Sequence, residues 1–307
     1  MNKTVRRRRL RVHSLVAAVA VTCMAGCSQG EQNAKPPRVS PKETLAFNAA
    51  DPATWVLPIQ GYLPSDGEKR QVSQAKKVLI GDCMKSFGFN WTPAPDLPKV
   101  GPKTLVDWRY GIHDMALAKE RGYKPSAAEQ DAYDQAVNLG AVDGTSGTGP
   151  DAQTLSGGIK EVGGKPVPEG GCIGEADRRI SVAAVQATDA QKLSNEAFTK
   201  SKQDPQVTKA FAAWSACMKA SGYTYAQPLD ASDDPRFGSR EVTSLERATA
   251  TADIACRNKT NVAKIWFDAE AALQDKEIEV QAEQLDKDRK DLNAAVKKAA
   301  AVVAGTR

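Results

Sequence analysis

Cys83-Met84-Lys85-Ser86-Phe87-Gly88-Phe89 recurs later in the chain as Cys217-Met218-Lys219-Ala220-Ser221-Gly222-Tyr223. Cys, Met, Lys, Gly and an aromatic keep their places, and a second aromatic, Trp91 or Tyr225, follows two residues on. The pattern reads as a helix stop. With Phe87 as the cap, Gly88 falls where a left-handed backbone costs glycine least. Phe89 and Met84 are then the apolar pair that meets across a Schellman ending. Lys85 faces the negative end of the helix dipole, worth ~0.3–1 kcal/mol. Gly222, Tyr223, Met218 and Lys219 repeat these roles. A cysteine beside a lysine also suits a thiol enzyme, but helix-end physics accounts for each residue without one.

Each copy is answered downstream by one more cysteine, Cys172 or Cys256. Four cysteines allow three pairings, and the duplication favours Cys83–Cys172 and Cys217–Cys256, one brace per unit. Each bridge is worth ~4 kcal/mol on a loop-entropy estimate. Metal ligation lacks partners: there is no C-x-x-C spacing, and His113 is the only histidine beyond the leader. No cofactor motif is present.

The reading of these cysteines as disulfides rests on export. Residues 1–26 carry six basic and no acidic residues, and an apolar and small run extends from Leu15 to Gly26. That run is shorter than the ~20 residues that span a bilayer and suits a signal-peptide core. It ends in Met24-Ala25-Gly26-Cys27, which has the form of a lipobox, although Met24 stands where Leu is usual. Cys27 is therefore the expected lipidation site, carrying a diacylglycerol anchor at the outer face of the cytoplasmic membrane. An ordinary secretory signal cut nearby is the alternative. The consecutive arginines invite a twin-arginine reading beside Sec export, but Arg8-Arg9-Leu10-Arg11-Val12 lacks the usual apolar pair after the arginines, which counts against it.

Processing also changes the charge. The whole chain has 42 basic and 37 acidic residues; removing the leader's six leaves 36 against 37. A nucleic-acid partner, which requires a basic footprint, loses its support.

The mature chain reads as mainly α, with few short strands. Residues 27–65 form a lipid-anchored flexible linker, polar and breaker-rich at first; its later part, through Trp55, Leu57 and Pro64, suits extended chain lying on the domain. A first helical unit covers 66–203, with helices expected near 68–87 and 127–138, the latter after the capping box Ser126-x-x-Glu129 and with Tyr133 and Val137 inward. Its Gly-rich loop, 140–171, holds ten glycines and lacks a phosphate-binding pattern. It reads as a solvated insert pinned at Cys172, with a ligand-binding lid as the alternative. Helix-forming sequence then runs from Glu175 to about Lys202. A second unit, 204–258, opens at Asp204-Pro205 and holds helices near 205–221 and 242–257. Residues 259–307 form a long C-terminal helix whose later apolar positions (Ile278, Ala282, Leu285, Leu292, Val296, Ala299, Val303) follow a heptad, with Arg289 in the seam. The seam fits either the protein's own helices or a partner, including a second copy.

Catalytic signals are sparse. No Gly-x-Ser-x-Gly elbow accompanies His113, and no spacing singles out a carboxylate pair. Trp108, Arg109, Tyr110 and His113 form a candidate recognition patch; alternatively Trp108 and Tyr110 are core, with Arg109 and His113 at the surface.

The repeated Cys-Met-Lys-x-x-Gly-aromatic stretches, with Tyr110-Gly111-Ile112, Gly171-Cys172-Ile173-Gly174-Glu175-Ala176 and Asp253-Ile254-Ala255-Cys256, resemble a group of actinobacterial lipoproteins. The resemblance spans most of the mature chain. It implies export and anchoring, and it carries no assigned activity or functional residues. The expected function is non-catalytic binding or scaffolding in the cell envelope; the alternative is an envelope-acting hydrolase using carboxylates.

Overall fold

The two helix stops form as the sequence requires. In the computed structural model, which describes residues 48, 50–142 and 147–305, α1 (Asp66–Ser86) ends at Phe87. Gly88 takes φ +83°, its N–H donates to Lys85 O at 3.0 Å, and Phe89 N–H donates to Met84 O at 3.1 Å. These are the two bonds of a Schellman ending. The expected leader, Cys27 and the first part of the expected linker lie outside the described residues.

α1 opens with a second device, a capping box in which Ser65 N–H donates to Glu68 at 2.6 Å. Next come α2 (Met115–Arg121) and α3 (Ala127–Asn138). α3 has the expected bounds but not the expected face: Ala136 is its buried residue, while Tyr133 is exposed. Residues 140–171 hold α4 (Pro150–Ser156) and a small antiparallel hairpin of β1 (Glu161–Val162) and β2 (Lys165–Pro166).

The continuous helix expected from Glu175 to Lys202 is instead broken. α5 (Gly171–Ile180) stops at Ser181, a 3₁₀ turn follows, and α6 (Thr188–Ser201) starts after Ala187. Ser181 and Ala187 both have positive φ, a conformation that costs non-glycine residues ~1–2 kcal/mol. Tertiary packing overrides local preference here: Ile180 and Ala187 are both buried, in different clusters.

α7 (Pro205–Ala220) ends in the second stop, with Gly222 at φ +90° and Tyr223 N–H donating to Met218 O at 2.9 Å. α8 (Pro228–Ser232), α9 (Ser244–Thr260), α10 (Val262–Val280) and α11 (Ala282–Val303) complete the chain. The helical run after Thr260 is thus two helices, parted at Gln281.

Two apolar clusters organise these elements. The larger gathers Trp55, Leu57, Ile59, Tyr110, Leu193, Trp214, Ile254, Trp266 and Leu285. The smaller joins α1, α4 and α5 through Val72, Leu79, Met84, Leu155, Cys172 and Ile180, and reaches α11 at Ala299. The division does not follow a boundary at residue 203, because residues 105–123 and α6 lie in the larger cluster. Nor does the flexible linker extend to 65: Leu57 and Ile59 are fully buried. The α11 seam is occupied by the protein's own body, chiefly α1, with Leu285, Leu292 and Ala299 buried. Arg289, the charged seam residue, donates to Glu68 on α1 at 2.9 Å.

Both bridges expected from the duplication are present, Cys83–Cys172 and Cys217–Cys256, each with Cα atoms 5.6 Å apart. One braces each cluster.

A Cβ added at Gly88 or Gly222 meets nothing within 4 Å, so substitution there isolates backbone strain. Gly88→Ala and Gly222→Ala are each expected to lower stability by ~1 kcal/mol, read as a shift in urea midpoint with unchanged slope.

Candidate functional site

The Trp108–His113 segment is where the sequence concentrates recognition chemistry, and the structure spends most of that chemistry on holding the segment down. Glu270, fully buried on α10, accepts from Arg109 Nη2 at 2.7 Å, Tyr110 Oη at 2.7 Å and Gln274 Nε2 at 2.7 Å. Arg109 Nη2 also donates to Ser194 O at 2.9 Å, and its guanidinium lies 4.5 Å from the Phe198 ring centroid. The expected surface position of Arg109 is therefore corrected: a buried carboxylate draws it in.

Two further buried carboxylates, on α9, act in the same way. Asp253 accepts from Arg257 Nε at 2.7 Å, Trp214 Nε1 at 2.9 Å and Tyr123 Oη at 3.3 Å. Burial pushes its carboxyl up, against these donors and the Arg257 charge. Arg257 donates onward to Tyr110 O, crossing the space beside Gly111, where any side chain would collide with the guanidinium. Glu246 accepts from Tyr123 N–H at 3.2 Å and from Lys124. Three acids from two helices thus fix the chain on either side of α2, at residues 109–110 and 123–124.

His113 and Trp108 stay near the surface. His113 Nε2 lies 2.8 Å from Asp107 Oδ1, and Nδ1 lies 3.6 Å from Asp51 Oδ1. Burial acts to raise the Asp107 carboxyl, but bonds from His113 and the Lys103 N–H outweigh it and hold it below the usual carboxylate range. Trp108 packs under Gly101, where a Cβ would come within 2.9 Å of the ring.

A sizeable cleft among the described residues lies elsewhere, beside Trp91. It measures about 690 Å³, within the range of small-molecule sites. Its walls are Ile80 on α1, the extended arm from Trp91 to Asp96, Leu139–Ala141 after α3, Leu155 on α4 and Ile173 on α5. Ile80 and Leu155 are buried, whereas Leu139 is 69% exposed at the mouth. Leu97 and Val142, next to lining segments, are also exposed.

The charged side chains at the rim and the Ser73 hydroxyl are paired, while Thr92, also in the lining, is exposed. Ser73 Oγ donates to Asp96 Oδ1 at 2.7 Å, Lys77 sits 2.9 Å from the same oxygen, and Lys76 sits 2.7 Å from Asp177. The Lys77 hydrogen bond is the main reason the Asp96 carboxyl is held down. The Cys83–Cys172 bridge ties α1 to α5, and so ties together two walls of the cleft.

Sequence reasoning noticed Trp91 as part of the repeat but missed the cleft. Its lining comes from five separated segments. The signal available was the pair of apolar residues, Leu139 and Val142, left at the edge of a glycine-rich stretch. Tyr225, the counterpart of Trp91, instead donates to Asp234 at 2.8 Å.

Among the described residues no group of three or more His, Cys, Asp or Glu side chains is placed to hold a metal ion, and no helix is long and apolar enough to cross a membrane. No protein-family model, curated protein or solved structure matches the chain.

Removing one partner of a buried ion pair strands the other. Arg109→Met is expected to cost ~3–5 kcal/mol, and Arg109→Met with Glu270→Gln to cost less than the two single changes summed, in a double-mutant cycle by urea unfolding. Acid should also destabilise the protein. A carboxyl whose folded pKa is depressed contributes stability above its unfolded value, and that stability is lost as pH falls through the folded value. The urea midpoint should therefore fall below about pH 4, with a shallower decline in Asp107→Asn.

Proposed function

We propose that the protein is a non-catalytic binding or scaffolding protein of the cell envelope, anchored through Cys27 at the outer face of the cytoplasmic membrane, with the cleft beside Trp91 as its binding site. The leader, the lipobox-like Met24-Ala25-Gly26-Cys27 and the resemblance to actinobacterial lipoproteins support the location. The observation that carries the binding reading is the cleft itself: a sizeable, largely apolar hollow whose charged rim side chains are each ion-paired.

The hydrolase alternative needs two carboxylates flanking a substrate. Glu246, Asp253 and Glu270 are fully buried and engaged by Lys124, Arg257 and Arg109. Among the described residues, Asp96 is the one acid lining the cleft. Partner contact is assigned to the cleft rather than to the α11 seam, because Leu285, Leu292 and Ala299 of the seam are already buried in the protein's own clusters. Self-association through the C-terminal helix would use its charged outer face and the exposed Val303.

Cys27→Ala should move the protein from the membrane to the soluble fraction; unchanged fractionation refutes the anchor. Crosslinking in the native envelope should recover a discrete ligand or partner through residues near Trp91, whereas capture of wall fragments would favour the hydrolase.

A further inference from the structure

The cleft's chemistry specifies its occupant more closely than binding in general. We infer that it takes a single hydrocarbon chain of an uncharged amphiphile, lying on Ile80, Trp91, Leu155 and Ile173 with its polar end at the Leu139 mouth. This inference rests on the binding role proposed above.

Charge is the first argument. Lys76 and Lys77 stand at the rim, yet each has its carboxylate, Asp177 and Asp96, within 3 Å. Among the described residues the rim's charges are matched in pairs, so an anionic head meets no unmatched cation there and a cationic head no unmatched acid. An ionic ligand would have to break these pairs, and a neutral one leaves them intact.

Hydrogen bonding is the second. A sugar or polar ligand loses its bonds to water on entry and needs replacements. The Ser73 hydroxyl already donates to Asp96, Thr92 adds a single exposed hydroxyl, and the floor at Ile80, Trp91, Leu155 and Ile173 is aliphatic and aromatic.

The arm supplies the third. An extended peptide binds by pairing its backbone with a strand edge. Here Pro93, Pro95 and Pro98 remove N–H donors from the arm, the feature that blocks strand addition at sheet edges. What remains is apolar surface, and it continues outward. Leu97, Leu139 and Val142 are exposed around the mouth, forming an apron from which a chain can slide inward.

Hydrocarbon binding has a quantitative signature. Each buried methylene adds about fourfold to affinity. The test uses the full-length chain as Cys27→Ala, titrated calorimetrically with alkan-1-ols from hexanol to dodecanol. Affinity should rise about fourfold per carbon, and the alkanoate of equal length should bind no tighter. Leu139→Asp, at an exposed position that leaves the fold intact, should weaken dodecanol at least tenfold, while Val280→Asp, at an exposed position near the end of α10, should leave it unchanged. Affinity independent of chain length, tighter binding of the alkanoate, or indifference to Leu139→Asp would overturn the inference.

The acylated chain in nanodiscs should bind dodecanol as well as Cys27→Ala does. Loss of binding there would assign the cleft to the protein's own anchor and overturn a free ligand. If the alkanols fail but envelope crosslinking still captures a partner through Trp91, the ligand class falls and the binding role stands. If both fail, both fall.

Discussion

Glu270 is the residue on which the middle of the molecule depends. A carboxylate in an apolar interior is costly unless it is paired and hydrogen-bonded, and this one is met by Arg109, Tyr110 and Gln274 together. Gln274 in turn accepts from Ile59 N–H at 3.1 Å, so the same network binds the N-terminal arm of the domain. Asp253 and Glu246 extend the principle along α9. A chain with little sheet has few ways to fix long irregular segments. Here the fixing is done by buried charge reaching out from regular helices to backbone and side chains of the loop. Such pairs contribute little to net stability compared with an apolar isostere, but removing one partner strands a buried charge.

Much of the architecture was legible because local physics determines it. The Schellman endings at Phe87 and Ser221 were readable down to the hydrogen bond, since Met, Gly and the aromatic are themselves the device. Ser126 and Asp204 marked the starts of α3 and α7 for the same reason. The disulfide pairing followed from the duplication. The breaks at Ser181 and Ala187 were not readable, because neither residue signals a left-handed backbone. Arg289 looked like a defect in a heptad until Glu68, 221 residues away in sequence, supplied its partner. The role of Arg109 was hidden likewise: its partner Glu270 lies 161 residues on.

The candidate site shows the same split. Trp108, Arg109, Tyr110 and His113 attracted attention because their side chains are rich in recognition chemistry, yet Arg109 and Tyr110 are consumed by the interior. The cleft escaped notice because its residues are individually bland. Ile80, Leu155 and Ile173 look like core, and Pro93 and Pro95 look like loop. Only their assembly, with the rim charges cancelled pairwise, makes a cavity fit for an apolar guest. The Cys83–Cys172 bridge then has two roles: it braces the smaller cluster and keeps the walls of the cleft together.

The central claim is that binding belongs to the cleft and not to the Trp108–His113 segment. Hydrogen exchange on the Cys27→Ala chain, with and without dodecanol, separates the two places directly. The prediction is added protection at residues 91–97 and 139–141, with residues 108–113 unchanged. Protection confined to 108–113, or none at the cleft under saturating ligand, would contradict it.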